Sequence, residues 1–490
     1  MSWYSTLTLM SCLFTLDSSV RAKPHGSYSV SVRSISVNEL QLFQTWTASI
    51  SELDDVLCKT VKIQPGSYLV YQISKNVHLQ PGIHQSVYVG QHRCIFIITE
   101  LLLDAVPDVL PQVAVVLKKI IVNTDAVTTA YFAATDNQKR DVKLQVEAAT
   151  AVRSKPGYEI SFSLLNPDPS RFRVSWDIRT ATSEHLHLLL DRLAVIGNFT
   201  VASQILRYVS LGVNPKLDSK ENLYYLTQHD LPHIINPVES RLGTYVSSNP
   251  TLDFLVYVPT QHQSPLHIVD DMGHRVTSNA FLSPRWGGII IHNVNESGDC
   301  VIEMEKIMPV FVSQLRQLLG VPDLRSPFPE ILMSNPPSSG ISDWELDGLL
   351  LHRCMENIAM TTTTLTSLIQ LLEEVTNMVI SDHIQAQIVK AIESVAECQN
   401  HLKSGRLMDA FLLSKQAIES SEAAFFDPSM LTLLYFPEDQ KFAIYVPLFV
   451  PVSLPLLLST RSALKQLFKR KERAVEDTDG IGNIQLAEST

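Results

Sequence analysis

The chain has 490 residues, of which 45% are apolar and 18% charged, with a formal net charge of −11. Such a length and composition suit two or three folded domains and are unlike those of a disordered chain. The acidic balance argues against nucleic acid as a partner, because a face that binds polyphosphate needs an excess of Lys and Arg.

Taken in chain order, residues 1–22 read as a weak signal or leader segment. An apolar stretch runs from Leu7 to Leu16, with Val20 and Ala22 at the spacing signal peptidase prefers, but no basic residue precedes it. Ten apolar residues are too few to span a bilayer. Residues 23–156 read as a divergent N-terminal α/β part. Within it, Val87 to Val122 alternates β-rich pieces (VYV, CIFIIT) with a helical pattern (LPQVAVVLKKIIV), and Glu100, Asp104 and Asp108 interrupt it too often for a membrane span. The polar stretch Thr135 to Pro156 is expected to hold a helix or linker, closed by Pro156-Gly157.

Residues 157–335 are predicted to form an α/β or α+β core. Alternation marks a strand over Tyr158 to Leu165, ended by the turn-forming run Asn166-Pro167-Asp168-Pro169. Further strands are expected at Val201 to Val209, Leu252 to Val258 and Gly288 to Val294, and helices near Ser183 to Ile196 and Val301 to Leu319.

Residues 341–426 are predicted to be an antiparallel helical bundle. It opens on Ser342-Asp343-Trp344-Glu345, a capping box. Apolar residues recur in steps of three and four at Leu365, Leu368, Leu372, Val375 and Val379. The same pattern holds at Ile384, Ile388, Ala391, Val395, Cys398 and Leu402, then at Leu407, Phe411, Ile418 and Phe425. Each set lies on one stripe, as helices burying a shared core require. Gly405 marks a tight turn between the second and third helices.

The run Phe442 to Thr460, FAIYVPLFVPVSLPLLLST, carries no charge over nineteen residues, about the length of a transmembrane helix. Pro447, Pro451 and Pro455 would each cost about 3 kcal/mol inside a soluble helix, and a membrane helix tolerates them better. Their spacing of four places them on one face with freed carbonyls, which either meets a helix of another subunit or belongs to a bent span facing lipid. Glu438 and Asp439 precede the run, whereas Arg461, Lys465, Lys469, Arg470, Lys471 and Arg473 follow it. The positive-inside rule therefore places residues 461–490 in the cytoplasm and the rest of the chain upstream in the lumen. The two sequons there, Asn198-Phe199-Thr200 and Asn295-Glu296-Ser297, are expected N-glycosylation sites: Asn198 in a turn after Gly197, Asn295 after a strand.

Catalytic and metal signatures are sparse. The chain has no G-x-S-x-G elbow, P-loop, H-E-x-x-H helix or G-x-G-x-x-G turn. The six cysteines, Cys12, Cys58, Cys94, Cys300, Cys354 and Cys398, include no C-x-x-C pair, which leaves one or two structural disulfides and removes the usual zinc readings. Cys398 falls on an apolar stripe and reads as a small buried hydrophobe. His185 and His187, two apart in a helical pattern, point to different faces and read as surface histidines. Asp343, Glu345 and Asp347 are expected to oppose the macrodipole in a first helical turn, a structural use. Ser240, in Glu239-Ser240-Arg241, has no histidine tied to it and is given a packing or turn role.

The residues carry a family resemblance. Gly157 to Pro169 (GYEISFSLLNPDP) with Trp176-Asp177-Ile178 resembles the signature stretch of the PIG-S family. Gly197 to Pro215, Leu231 to Gly243, Asn279 to Ile289 (NAFLSPRWGGI), Trp344 to Asp347, Thr361 to Leu368 and Ser420 to Pro451 are similar to family segments in the same order. The likeness runs from Gly157 through the membrane run and is loose before it. It implies a first membrane span near the N-terminus, and residues 1–156 hold no apolar run of that length.

What the resemblance implies is a non-catalytic subunit of the glycosylphosphatidylinositol (GPI) transamidase of the endoplasmic reticulum membrane, supporting assembly and substrate presentation. That complex removes a C-terminal signal from a precursor and joins the new carboxyl end to a GPI lipid. Its cysteine and histidine would lie on the PIG-K subunit, with PIG-T, PIG-U and GPAA1 as further partners; no cofactor is expected. The alternative is a membrane-anchored luminal hydrolase or transferase with an unrecognised active site, to be distinguished by convergent polar chemistry in a pocket.

Overall fold

A computed structural model of the protein describes residues 29–34, most of 63–99, and 151–485 apart from short breaks. The leader segment, the helical pattern of residues 110–122, the stretch of residues 135–150 and Asn295 lie outside the described residues.

The chain divides into two compact units, residues 1–369 with 387–422, and residues 370–386 with 423–490. In the first unit an N-terminal sheet forms from β1 (Ser29–Ser34), β2 (Ser67–Ser74), β3 (Val87–Val89), β4 (Cys94–Thr99) and a late strand, β15 (Ile331–Met333). Its order is β1-β2-β4-β3-β15, so β15 returns to pair in parallel with β3.

The central sheet holds β5 (Gly157–Asn166), β7 (Asn198–Arg207), β10 (Thr251–Tyr257), β12 (Ala280–Ser283) and β13 (Gly287–Ile291), ordered β12-β13-β10-β5-β7. All its pairings are parallel except that of β12 with β13. The strand expected at Val201 to Val209 thus begins three residues earlier, and the strand expected at Gly288 to Val294 ends at Ile291. The helix expected near Ser183 to Ile196 is two, α1 (Ile178–His185) and α2 (His187–Leu193), divided at Leu186. Small additions are β6 (Phe172–Ser175) paired with β14 (Gly298–Val301), and a sheet of β8 (Lys216–Asp218), β9 (Leu223–Thr227) and β11 (Leu266–Val269).

Alternation along β5 and β10 decides which face meets which core. Tyr158, Ile160, Phe162, Leu252, Phe254 and Val256 join one cluster with α1, α2 and α4 (Met304–Leu319). There Phe162, Phe254 and Phe311 pack with ring centroids 5.3–5.7 Å apart, within the favourable range for aromatic pairs. Leu165, Leu255 and Tyr257 face the other cluster, under α3 (Pro232–Leu242). The Gly287-Gly288 pair is required by close approach: a Cβ on Gly287 would lie 1.8 Å from the Asp253 carbonyl oxygen, and one on Gly288 would lie 2.1 Å from Gln314 Oε1.

The C-terminal helices are α5 (Asp343–Glu374), α6 (Asp382–Lys403), α7 (Leu407–Phe425) and α8 (Glu438–Gln485). Every member of the second predicted stripe, Ile384 through Leu402, is buried. On α7 the buried side is built of Ala410, Phe411, Ser414, Ala417 and Ser421, whereas Ile418 is only half-buried. Small residues, which leave no mark in a pattern of large apolar side chains, thus make up much of this buried side. Gly405 adopts φ +73° at the turn between α6 and α7, and Arg406 N–H donates to the His401 carbonyl.

Candidate functional site

The residues that dominate the polar interior lie on the first turns of α5. Asp347 is fully buried and accepts two charge-assisted hydrogen bonds from Arg93, Nε to Oδ2 and Nη2 to Oδ1, each 2.7 Å. Arg93 sits at φ 59° in the turn between β3 and β4, which aims its side chain at α5. Tyr68 of β2 donates its hydroxyl to the same carboxylate at 3.2 Å.

Asp343, half-buried, pairs with Arg192 of α2 and lies 3.7 Å from Arg93 and 3.3 Å from His92. Burial alone would raise its pKa. The nearby guanidinium groups of Arg93 and Arg192 overcome this and hold it below the ordinary carboxylate value. Burial likewise works to lower the pKa of Arg93, but Asp347 and Asp343 push it above its ordinary value.

Glu345 is fully buried and receives Arg316 of α4, Nη2 to Oε1 at 2.7 Å. The same guanidinium donates to the Gly340 carbonyl. Glu345 also accepts the Ser342 backbone N–H at 2.8 Å, so one half of the predicted capping box forms. The reciprocal half does not, because among the described residues Ser342 Oγ has no partner. About two helical turns further on, Arg353 donates to the carbonyls of Val152 and Leu319 and to Glu356.

The expectation that Asp343, Glu345 and Asp347 serve structure therefore holds, with a correction to its cause. Asp343 and Glu345 do stand in the first turn of α5, but all three carboxylates are buried or half-buried and not left to solvent. Each carries its own arginine from a different element, and together they fasten the N-terminal sheet, α2 and α4 to α5. Carboxylates held this way by charge-assisted hydrogen bonds orient the elements that carry their partners.

A different carboxylate stands apart. Asp253 of β10 lies between Ser161 of β5 and Gly287 of β13, buried on the α3 side of the sheet, and among the described residues its Oδ1 has no hydrogen-bond partner. Burial raises its pKa to about 7; a hydrogen bond from Ser161 opposes the shift, and Glu239 and Glu159 add to it. Gln204 Nε2, on the same face, donates to Ser163 Oγ and to the Leu242 carbonyl.

The remaining candidates are dispersed. His187 is exposed and pairs with Asp191 of its own helix at 2.8 Å. Ser240 lies inside α3, not in a turn, with Oγ donating to the Pro237 carbonyl. Cys398 is buried as expected, its sulfur 3.4 Å from that of Cys354, and its pKa is raised by the Cys354 thiol and by burial. Cys94 is disulfide-bonded. Asn198 is exposed, but it is the first residue of edge strand β7 and not a turn residue. Among the described residues no group of three or more His, Cys, Asp or Glu is placed to hold a metal. Sequence reasoning missed Arg93, Arg192, Arg316 and Asp253, because their partners lie far away in the chain.

The membrane run lies within α8, where Phe442–Lys469 is long and apolar enough to cross a bilayer and none of its most apolar stretch is buried. Comparison with known proteins matches residues 15–470 to the family described as phosphatidylinositol-glycan biosynthesis class S protein. The chain is 43% identical to the GPI-anchor transamidase component PIGS of Homo sapiens, over 84% of this chain and 75% of that one. It is 28% identical to the GPI transamidase component PIG-S homolog of Schizosaccharomyces pombe, over 67% of this chain and 57% of the relative. The GPI transamidase component GPI17 of Saccharomyces cerevisiae is 24% identical over 69% of this chain and 64% of its own length.

Proposed function

The chain belongs to the PIG-S family, and from that membership we propose that it is a non-catalytic, membrane-anchored subunit of a GPI transamidase. In this reading it supports assembly of the complex and presentation of precursor proteins, with the acyl-transfer residues on PIG-K and with PIG-T, PIG-U and GPAA1 as further partners. The observation that carries the reading is the likeness across 84% of the chain to a relative named as a transamidase component. The α5 carboxylates support it, since arginines occupy all three. In the same reading α8 anchors the protein in the endoplasmic reticulum membrane, the large upstream unit is luminal, and Asn198 and Asn295 carry N-glycans. The exposure of Asn198 suits that modification.

The test is complementation of cells lacking the endogenous subunit, read by surface GPI-protein staining and by co-purification from gentle detergent. The expected outcome is that the chain restores staining, co-purifies with transamidase subunits and shows an endoglycosidase H-sensitive shift that N198Q with N295Q removes. No single Cys→Ala or Ser→Ala change should stop GPI attachment in an assembled complex. One that does would overturn the non-catalytic assignment, and a parent without the glycosidase shift would overturn the topology.

A further inference from the structure

We propose that residues 461–469 of α8 form an amphipathic collar that binds the headgroups of anionic phospholipids where the helix leaves the bilayer. This rests on the reading of α8 as the membrane anchor and goes beyond it, because it assigns a ligand to the segment after the span.

The geometry follows from helix dimensions. Nineteen uncharged residues from Phe442 to Thr460 rise roughly 28 Å at 1.5 Å per residue, close to the ~30 Å of a hydrocarbon core. The helix does not stop there; α8 continues unbroken to Gln485. The residues that follow Thr460 thus occupy the headgroup layer.

Their pattern is that of an interfacial helix. Arg461, Lys465 and Lys469 recur in steps of four and share one stripe. Leu464, Leu467 and Phe468 lie on the neighbouring arc, 55%, 60% and 68% exposed. Ser462, Ala463 and Gln466 fill the remainder. An apolar arc facing acyl chains, with basic side chains snorkelling beside it, is what binding at an anionic surface requires. A flank serving only to stop translocation needs the charges but no such arrangement.

Charge complementarity points the same way. No Asp or Glu occurs between Phe442 and Lys469, and among the described residues no ion pair joins Arg461, Lys465 or Lys469 to a carboxylate. Among the described residues, three cations on one stripe are left for an external anion. At this depth a phospholipid headgroup is the anion available at high local concentration.

The experiment uses the purified full chain reconstituted in phosphatidylcholine vesicles with a trace of spin-labelled phosphatidylserine or spin-labelled phosphatidylcholine. Electron spin resonance reads the motionally restricted fraction of each lipid. The expected result is a preference for phosphatidylserine of at least about fivefold, the effect of one basic contact near the surface, weakening in 0.5 M salt. The triple variant Arg461→Gln, Lys465→Gln, Lys469→Gln leaves Arg470, Lys471 and Arg473 to preserve the charge asymmetry of the span. It should lose most of the preference while still floating with vesicles and resisting carbonate extraction. Equal restriction of the two lipids by the parent, or an unchanged preference in the variant, overturns the collar. A parent that neither floats nor resists carbonate overturns the anchor reading instead.

Discussion

The start of α5 and the middle of β10 both bury carboxylates, with opposite electrical results. On α5, Asp343, Glu345 and Asp347 each meet a guanidinium brought from another element. On β10, Asp253 meets a hydroxyl and two further carboxylates, and its pKa rises to about 7. The difference teaches that burial alone does not decide whether a carboxylate is charged; what the fold delivers beside it does. The α5 cluster is a set of ion pairs that locks elements together, whereas Asp253 is a neutral acid at mildly acidic pH that becomes a poorly solvated anion as pH rises.

The most severe way to break the contrast is to remove one member of a paired set. Asp347→Ala leaves Arg93 without its bidentate partner, and breaking a buried pair of this kind costs about 3–5 kcal/mol. The expected result is a fall of roughly 5 °C in the thermal midpoint of the purified full chain, followed by tryptophan fluorescence. Replacing both partners, Asp347→Leu with Arg93→Met, should recover much of that loss. A double variant as unstable as the single one would show that the pair itself stabilises the fold, beyond avoiding an orphaned charge.

The second test concerns the unpaired acid. The pKa of Asp253 is raised in the folded chain to about 7 from an ordinary 3.8, so between those values the folded chain keeps a proton that the unfolded chain has released. Its contribution to stability is full below the unfolded value and declines as pH rises through about 7, by on the order of 4 kcal/mol in all. Asp253→Asn should flatten that decline in a series of thermal scans from pH 5 to pH 8, and an undiminished slope would refute the assignment. Asp343, with its value lowered, carries the opposite sign: its contribution is present above the unfolded value and fades as pH falls through the folded one.

The mildest perturbation sharpens the comparison within α5. Glu345→Gln keeps an oxygen for the Ser342 N–H but removes the charge facing Arg316, for an expected cost of about 1–2 kcal/mol at pH 7 in the same thermal assay. A cost as large as that of Asp347→Ala would mean that the two pairs do not differ in their remaining partners.

Elements governed by local periodicity were legible in the sequence. The second bundle stripe was found residue for residue, the strand at Tyr158 was displaced by a single position at each end, and the uncharged run in α8 needed only counting. Sites governed by distant pairing were not. Nothing near Arg93 announces Asp347, 254 residues away, nor does Asp253 show in sequence that its charged neighbours will be Glu239 and Glu159. The carboxylates of α5 were noticed and given a structural role, but from sequence a first helical turn looks the same whether solvent or three arginines lie beyond it.

The separation between Arg93 and Asp347 also sets a timetable. A ribosome adding about 5–20 residues per second needs roughly 13–50 s to travel the 254 residues between them. Over nearly the same interval β3 waits for β15, its parallel neighbour in the N-terminal sheet. The earliest strands therefore emerge long before the residues that complete them, with the β3 edge open and Arg93 without Asp347. Contacts of such long range make for slow folding and leave strand edges open to wrong partners. A nascent chain built this way has a defined window, from the emergence of β3 to that of α5, in which a chaperone that shields β-edges would do the most good.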